Sequence, residues 1–417
     1  MLSPADPPAH SGTLEELRRV IRRIEGARPF RAAPEPAEAV LGGELFETDA
    51  GPIVTVRREF PLGHRHGRVA LDRALGVSTE ALRVLARDEP PDPGRLLFLD
   101  TETTGLAGGT GTYAFLVGTG WIEGDRFVVV QHFMRDLDEE PALLAAIAPL
   151  LERASGIVTY NGSGFDVPLL ETRFILGRRR WPAGLAHLDL LRPARRVWAA
   201  RFVDCRLATL EREVLGHLRD GDVAGMLIPS LYFDFLRRRH AGRLAPVFTH
   251  NRHDVLFLAA LFGWLGHALA RGEDGVDDAL DLAGVGRLWE GSDAERAVAC
   301  YRAALAVGLP APVAHAVRLR LAAWDKRAAR WDSACALWEA ATSGPFDPRP
   351  WEELAKFHEH RARDAAHAHA LVTRALGLAR AANSAPHVLQ ALRHRLTRLD
   401  RRVAVGPVAR PRAQTVE

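Results

Sequence analysis

The chain has 417 residues, 47% hydrophobic and 26% charged, with a net charge of +3 and a pI near 9.0. Its length and composition are those of a soluble globular protein of about two to three domains. Three features argue against other classes. The three cysteines, Cys205, Cys300 and Cys335, form no CxxC pair, so neither a zinc ribbon nor a disulfide framework is indicated. The opening MLSPADPPAHSGTLEELRRV has no apolar core of a secretory signal. No run of 18 apolar residues suggests a membrane span, and a cytoplasmic setting is expected.

Residues 1–12 read as a disordered tail, 13–24 as a helix on the spacing of Leu14, Leu17, Ile21 and Ile24, and 27–38 as a proline-bearing linker. Weak alternation over 40–70 predicts two or three short strands; His64 and His66, in Gly63-His-Arg-His-Gly67, are expected in an ordinary loop, with a metal role as the alternative. The apolar run Leu96–Leu99 predicts a buried central strand ending at Asp100. Strands are expected over 113–119, 127–132 and 156–160, and helices over 140–153, 167–176, 206–217, 229–240 and 247–270. This order suits an α/β fold with a mixed sheet flanked by helices. Gly109, Gly111 and Ala114 fit a dinucleotide fingerprint, but the strand-like Phe115–Thr119 follows where a helix is required, so that reading is rejected.

Residues 273–285 read as a linker into an all-α region. There Ala297-x3-Tyr301-x2-Ala304 recurs as Ala334-x3-Trp338-x2-Ala341 and Ala368-x3-Val372-x2-Ala375, offset by 37 and then 34 residues. A small–large–small helix face at that period resembles tetratricopeptide repeats, with Trp351 and Leu354 on the partner helix of the last unit. The expected domains are thus 1–38, a strand-bearing extension 39–92, an α/β domain 93–272, helical repeats 286–382 and a C-terminal piece 383–417 whose tail after Arg401 is disordered.

Three carboxylate motifs carry the chemistry. In Asp100-Thr101-Glu102-Thr103-Thr104-Gly105, the two acids lie two apart on a strand and share a face. Two buried like charges need a cation beside them. Tyr160-Asn161-Gly162-Ser163-Gly164-Phe165-Asp166 brings an acid to the head of a helix. His250-Asn251-Arg252-His253-Asp254 places His250 and Asp254 on one helix face. Asp189 is read as a helix N-cap in preference to a metal ligand. Basic residues are almost all arginine, with lysine only at Lys326 and Lys356, as suits phosphate contacts or simply GC-rich coding. The clusters Arg178–Arg180, Arg192/Arg195/Arg196 and Arg237–Arg239 either track phosphates or are solvated helix faces.

In this order the motifs resemble the DEDD superfamily of 3′→5′ exonucleases on a ribonuclease H-like fold. His187–Leu191, Leu207-x2-Leu210-Glu211 and Ile228-Pro229-x2-Tyr232 resemble its YprB-like branch, over roughly residues 40–270. The resemblance implies a metal-dependent nuclease acting on single-stranded DNA or RNA with two Mg²⁺ or Mn²⁺ ions about 4 Å apart. It implies metal ligation by Asp100, Glu102, Asp166 and Asp254, and substrate contacts from Thr103, Gly105, Asn161 and Phe165. The superfamily places a tyrosine four residues, or a histidine five, before the last aspartate. Here those positions are His250 and Thr249, so His250 is the expected general base and His253 its runner-up. Two other readings remain open: a structure-specific endonuclease, and a non-catalytic nucleic-acid-binding adaptor. The repeats are expected either to dock a peptide or helix of another protein or to pack on the nuclease domain, and no membrane is implied.

Overall fold

The computed structural model describes residues 36–86, 89–105 and 111–405. The expected tail 1–12, the helix over 13–24, most of the 27–38 linker, residues 106–110 of the glycine-rich turn and the final residues 406–417 lie outside them. The chain divides into two units, Met1–Val276 with Arg287–Asp293, and Asp277–Gly286 with Ala294–Glu417.

The first unit runs α1 (Ala37–Leu41), β1 (Glu44–Thr48), β2 (Gly51–Pro61), β3 (Arg65–His66), β4 (Val69–Ala70), α2 (Thr79–Leu85), β5 (Leu96–Thr103), β6 (Ala114–Glu123) and β7 (Arg126–Phe133). It continues with α3 (Glu140–Arg153), β8 (Gly156–Thr159), α4 (Asp166–Leu176), β9 (Ala186–Asp189), α5 (Leu191–Trp198), α6 (Leu207–Leu210, widening into a π-turn over Glu211–Leu215), α7 (Ile228–Arg238) and α8 (Ala245–Arg271). Seven strands form one mixed sheet in the order β1-β2-β7-β6-β5-β8-β9. β5 pairs antiparallel with β6 and parallel with β8, and β9 adds parallel to β8. β1 and β2 extend the same sheet, because β2 pairs along its length with β7 from Val54↔Phe133 to Pro61↔Arg126.

The β5 run is buried because its two faces are both covered. Leu97 and Leu99 join Leu143, Ile147, Leu170 and Phe174 of α3 and α4 in one core. Phe98 points the other way, onto Phe127 at 5.6 Å and Phe262 of α8 at 5.8 Å. By length and composition the segment Ala241–Asp274 could cross a membrane, although it holds no uninterrupted run of 18 apolar residues. Its apolar content instead reflects a core helix, with Val255–Phe262 all buried.

Two boundaries differ from expectation. Part of the supposed 273–285 linker is the helix α9 (Ala279–Trp289). The Asp278 carboxylate accepts from Leu280 N and Asp281 N, at 2.8 and 3.1 Å, and Leu282, Ala283 and Val285 are buried. The last helix continues past Arg401 to Val405. The second unit is otherwise α10 (Ala294–Val307), α11 (Ala311–Arg327), α12 (Trp331–Ala341), α13 (Pro348–His360), α14 (Ala365–Ala381) and α15 (Pro386–Val405). All three small–large–small triplets, on α10, α12 and α14, are buried. Trp338 packs with Ala322 and Leu354, and Val372 with Trp351 and Ala355: the alanines let the helices approach and the large side chain fills the gap.

Candidate active site

β5 places Asp100 and Glu102 on the same face as Phe98, toward α8. The approach of α8 depends on missing side chains in β6. A Cβ at Gly118, opposite Asp100 in register, would lie 2.2 Å from Asn251 Oδ1, and one at Gly120 would lie 2.6 Å from Val255 Cγ1. Through that opening the fully buried Asn251 donates Nδ2 to Asp100 Oδ2 at 2.8 Å. Gln131 Nε2 fixes the asparagine by donating to its Oδ1 at 2.9 Å and to Phe248 O at 2.8 Å. Three residues further along α8 stands Asp254.

Asp166 is the first residue of α4, where the helix dipole favours an anion. The turn before it is pinned from β9: Asp189 accepts from Asn161 N at 2.7 Å, from Ser163 N at 3.1 Å and from the Ser163 hydroxyl. Asn161 adopts φ +65°, a conformation that asparagine tolerates better than most residues. Asp189 also accepts from Leu191 N at 3.1 Å, but the N-cap of α5 is Leu190, without a side-chain cap bond, so Asp189 stands one residue before the expected cap and its carboxylate mainly shapes the Asp166 turn. Thr101 Oγ1 donates to Asp166 Oδ1 at 2.5 Å, tying the first motif to the second.

The four carboxylates feel one another. Burial, then Asp254, Glu102 and Asp166, pushes the Asp100 carboxyl well above the usual range, and burial with Asp254 and Asp166 does the same to Glu102. Burial raises Asp254 and lifts Asp166 to about 6. Such a set is unfavourable without positive charge beside it. Arg219 supplies some: it donates to Asp254 Oδ1, to Glu211 Oε2 at 2.6 Å and to Asp222 Oδ2 at 3.2 Å. Burial works against the guanidinium charge, but Asp254 and Glu211 outweigh it and hold Arg219 firmly protonated. His250 Nδ1 lies 2.8 Å from Asp222 Oδ1 and Nε2 lies 3.4 Å from Asp254 Oδ2. Ligand atoms of Glu102, His250 and Asp254 all fall within 4.8 Å of one another. An all-oxygen set with one imidazole at its edge fits a hard divalent cation such as Mg²⁺ or Mn²⁺.

The other expected residues divide by accessibility. Thr103 is buried and its hydroxyl donates to Gly105 O at 2.8 Å, so that hydroxyl holds the motif's own turn; Gly105 is half-buried. Asn161 and Phe165 are exposed. The His253 ring packs edge-on against His217 and His66, with centroids 5.3 and 6.1 Å away, while His250 meets Glu102 and Asp254. The ordinary-loop expectation suits His64, whose ring rests 4.9 Å from that of Phe60, but not His66. His66 is buried with Nε2 2.6 Å from Glu211 Oε1, and burial pushes its pKa down to about 3. Arg219, Asp222 and the buried partners of Glu211 escaped sequence reasoning; the signal in Arg219-Asp-Gly-Asp222 is only that of a charged turn. A cavity of about 670 Å³, lined by Phe46, Trp121, His132 and Ala145, contains none of the four carboxylates.

Residues 97–266, which span all four carboxylates and His250, match the family model of the RNase H superfamily. That segment is similar to RNase H superfamily domains. The protein named "Uncharacterized protein YprB" of Bacillus subtilis (strain 168) is 38% identical over 210 residues, 49% of this chain and 51% of that protein. The chain thus spans about half the length of the curated relative it matches. The N-terminal part of the chain is a ribonuclease H-like mixed sheet with flanking helices.

Proposed function

We propose that the chain is a metal-dependent nuclease that removes nucleotides from the 3′ end of single-stranded DNA or RNA. The observation that carries this reading is the gathering of Glu102 from β5 with His250 and Asp254 from α8, ligand atoms within 4.8 Å of one another, while Asp100 and Asp166 lie near enough to interact electrostatically with Glu102. Asp100, Glu102, Asp166 and Asp254 would hold two Mg²⁺ or Mn²⁺ ions. When bound, such ions acidify a water and neutralise charge on the scissile phosphate.

The chain's own groups do the rest. Asp222 accepts the Nδ1–H of His250, which leaves Nε2 as a lone pair able to take a proton from the attacking water. Asn251 fixes the carboxylate of Asp100, and Thr101 that of Asp166, so the donors are set before substrate arrives. Phe165 stands exposed next to Asp166 and offers a stacking surface to an unpaired base, as do the exposed Met226 and Leu227 to apolar parts of the strand. Arg192, Arg195 and Arg196 are exposed on α5, directly after the Asp189 that shapes the Asp166 turn, and suit a phosphate backbone. The Arg237–Arg239 cluster is partly spent on Asp234 and Asp136. The helical unit, by its tetratricopeptide-like packing, is suited to docking a peptide or helix of a partner protein.

The test is cleavage of 5′-labelled single-stranded DNA and RNA with Mg²⁺ or Mn²⁺, beside Asp100→Asn. Stepwise shortening by the parent alone supports the reading and names the better substrate. Internal cuts would replace it with an endonuclease. Inertness with every metal would leave a binding protein on a nuclease fold.

A further inference from the structure

On the other side of Arg219 from the carboxylates lies a second group of metal-ligand side chains, and three separate stretches of chain build it. His66 comes from the β3–β4 hairpin, Glu211 and His217 from the π-turn and its exit, and His253 from α8. The hairpin is docked by its backbone: Arg68 N donates to Leu215 O at 2.7 Å. At Gly67, φ is +61° and a Cβ would sit 2.0 Å from Leu215 O, so glycine is required for the approach. Gly216, at φ +67°, turns the chain so that His217 returns to the group.

We propose that His66, Glu211 and His217 form a second metal site, for a borderline transition-metal ion of the Zn²⁺ class, distinct from the carboxylate centre. Their ligand atoms lie within 4.8 Å of one another. His66 Nε2 is 2.6 Å from Glu211 Oε1, and the His66 and His217 rings lie 4.1 Å apart at 29°. His217 Nε2 is buried with no hydrogen-bond partner, and so is Nδ1 of His253, whose ring meets that of His217 edge-on at 5.3 Å. A buried ring nitrogen without a partner is unfavourable, and an ion in this group satisfies that of His217 directly. Imidazole nitrogens with one carboxylate oxygen suit Zn²⁺ or Co²⁺, whereas Mg²⁺ prefers the all-oxygen set. Glu211 is shared: Oε1 meets His66 and also accepts from Arg219 Nη2 at 3.1 Å, and Oε2 accepts from Arg219 Nε at 2.6 Å. An ion here fixes Glu211, Glu211 fixes Arg219, and Arg219 engages Asp254. The site is thereby a structural clamp on the arginine that reaches the carboxylates, and it does not depend on what substrate the domain cuts.

The experiment uses the full chain with the carboxylate centre silenced by Asp100→Asn, Glu102→Gln and His250→Gln, which removes its imidazole as well, stripped with a chelator and titrated separately with Zn²⁺, Co²⁺ and Mg²⁺. The expected result is one equivalent of Zn²⁺ or Co²⁺, visible Co²⁺ bands of a low-coordinate nitrogen and oxygen site, and no Mg²⁺ uptake. Adding His217→Gln should weaken Zn²⁺ by more than the roughly 10–100-fold that losing an outer partner costs. Absence of Zn²⁺ and Co²⁺ binding in the folded, silenced protein overturns the proposal, as does binding indifferent to His217→Gln. If His217→Gln does not fold, X-ray absorption of the Zn²⁺-loaded silenced protein decides: imidazole scattering supports the site, and its absence overturns it.

Discussion

Replacing Asp166 by asparagine removes a charge from a place that disfavours it, and the size of the effect can be worked out. Burial, the leading cause, lifts the Asp166 carboxyl from 3.8 to about 6. A rise of about two pH units corresponds to roughly 3 kcal/mol against the ionised folded protein at pH 7. Asparagine keeps the shape but accepts from Thr101 Oγ1 as a neutral group, which gives back about 1 kcal/mol. The net expectation for metal-free Asp166→Asn at pH 7 is a gain of about 2 kcal/mol, or roughly 4–8 °C for a unit of this size. The pH dependence has a definite sign. The folded protein holds this proton more tightly than the unfolded chain does, so the penalty is absent below about pH 3.8, grows as pH rises toward about 6, and is complete above it. The metal-free parent should therefore lose stability across that window, and the variant should lose less. Mn²⁺ reverses the ranking: at a hundredfold excess over Kd it stabilises the parent by about 2.7 kcal/mol and the variant little. Differential scanning calorimetry at pH 4.5 and 7, with and without Mn²⁺, reads all four values. A metal-free variant that melts below the parent at pH 7 refutes the reasoning, as do equal pH slopes.

Three further outcomes follow from the site. His250→Gln should lower kcat by about 10²–10⁴ with little change in KM; an unchanged kcat removes His250 as the base. Gly118→Ala should destabilise the protein by about 1–3 kcal/mol, since the new methyl group lands 2.2 Å from Asn251 Oδ1; calorimetry would show no loss if α8 can simply shift. Replacing Arg192, Arg195 and Arg196 together by alanine should raise KM for single strands and flatten its salt dependence by about 0.7 in logarithmic slope per lost phosphate contact, measured by fluorescence anisotropy.

The central strand, the helices that cover it and the carboxylate motifs were legible because each has a local signature: a continuous apolar run, helical spacing, or acids two apart on a strand. The β1 and β2 strands were only half legible. Their alternation is weak, and nothing local says that Val54 will pair with Phe133. The glycines at 118 and 120 could have been read as openings in a strand, but what passes through them is a helix more than a hundred residues away. The polar network around Asp254 was invisible for a related reason. Arg219 and Asp222 sit in a charged turn like any solvated loop, and their meaning comes only from folding that turn onto α8. His66 reads as a loop residue until Gly67 packs on Leu215 and buries it.

Arg219 joins these observations, and changing it separates stability from metal affinity. In the metal-free protein its guanidinium compensates Glu211 and Asp254, both buried, and lowers the Asp254 carboxyl against the effect of burial. Arg219→Gln leaves those carboxylates without a cation, and breaking such a buried pair from one side costs about 3–5 kcal/mol. The metal-free protein should therefore melt well below the parent. Yet Asp254 Oδ1 is the atom that Arg219 engages, and Asp254 is also a proposed ligand, so the arginine competes with any ion for that oxygen. Removing it should tighten Mn²⁺ binding, and saturating Mn²⁺ should recover most of the lost stability. Calorimetry with and without Mn²⁺, together with a Mn²⁺ titration, tests both halves. If Arg219→Gln is as stable as the parent without metal, the ion pair is incidental. If the variant is destabilised but binds Mn²⁺ more weakly, Arg219 organises the site for the ion instead of occupying its place, and the competition argument fails while the carboxylate assignment survives.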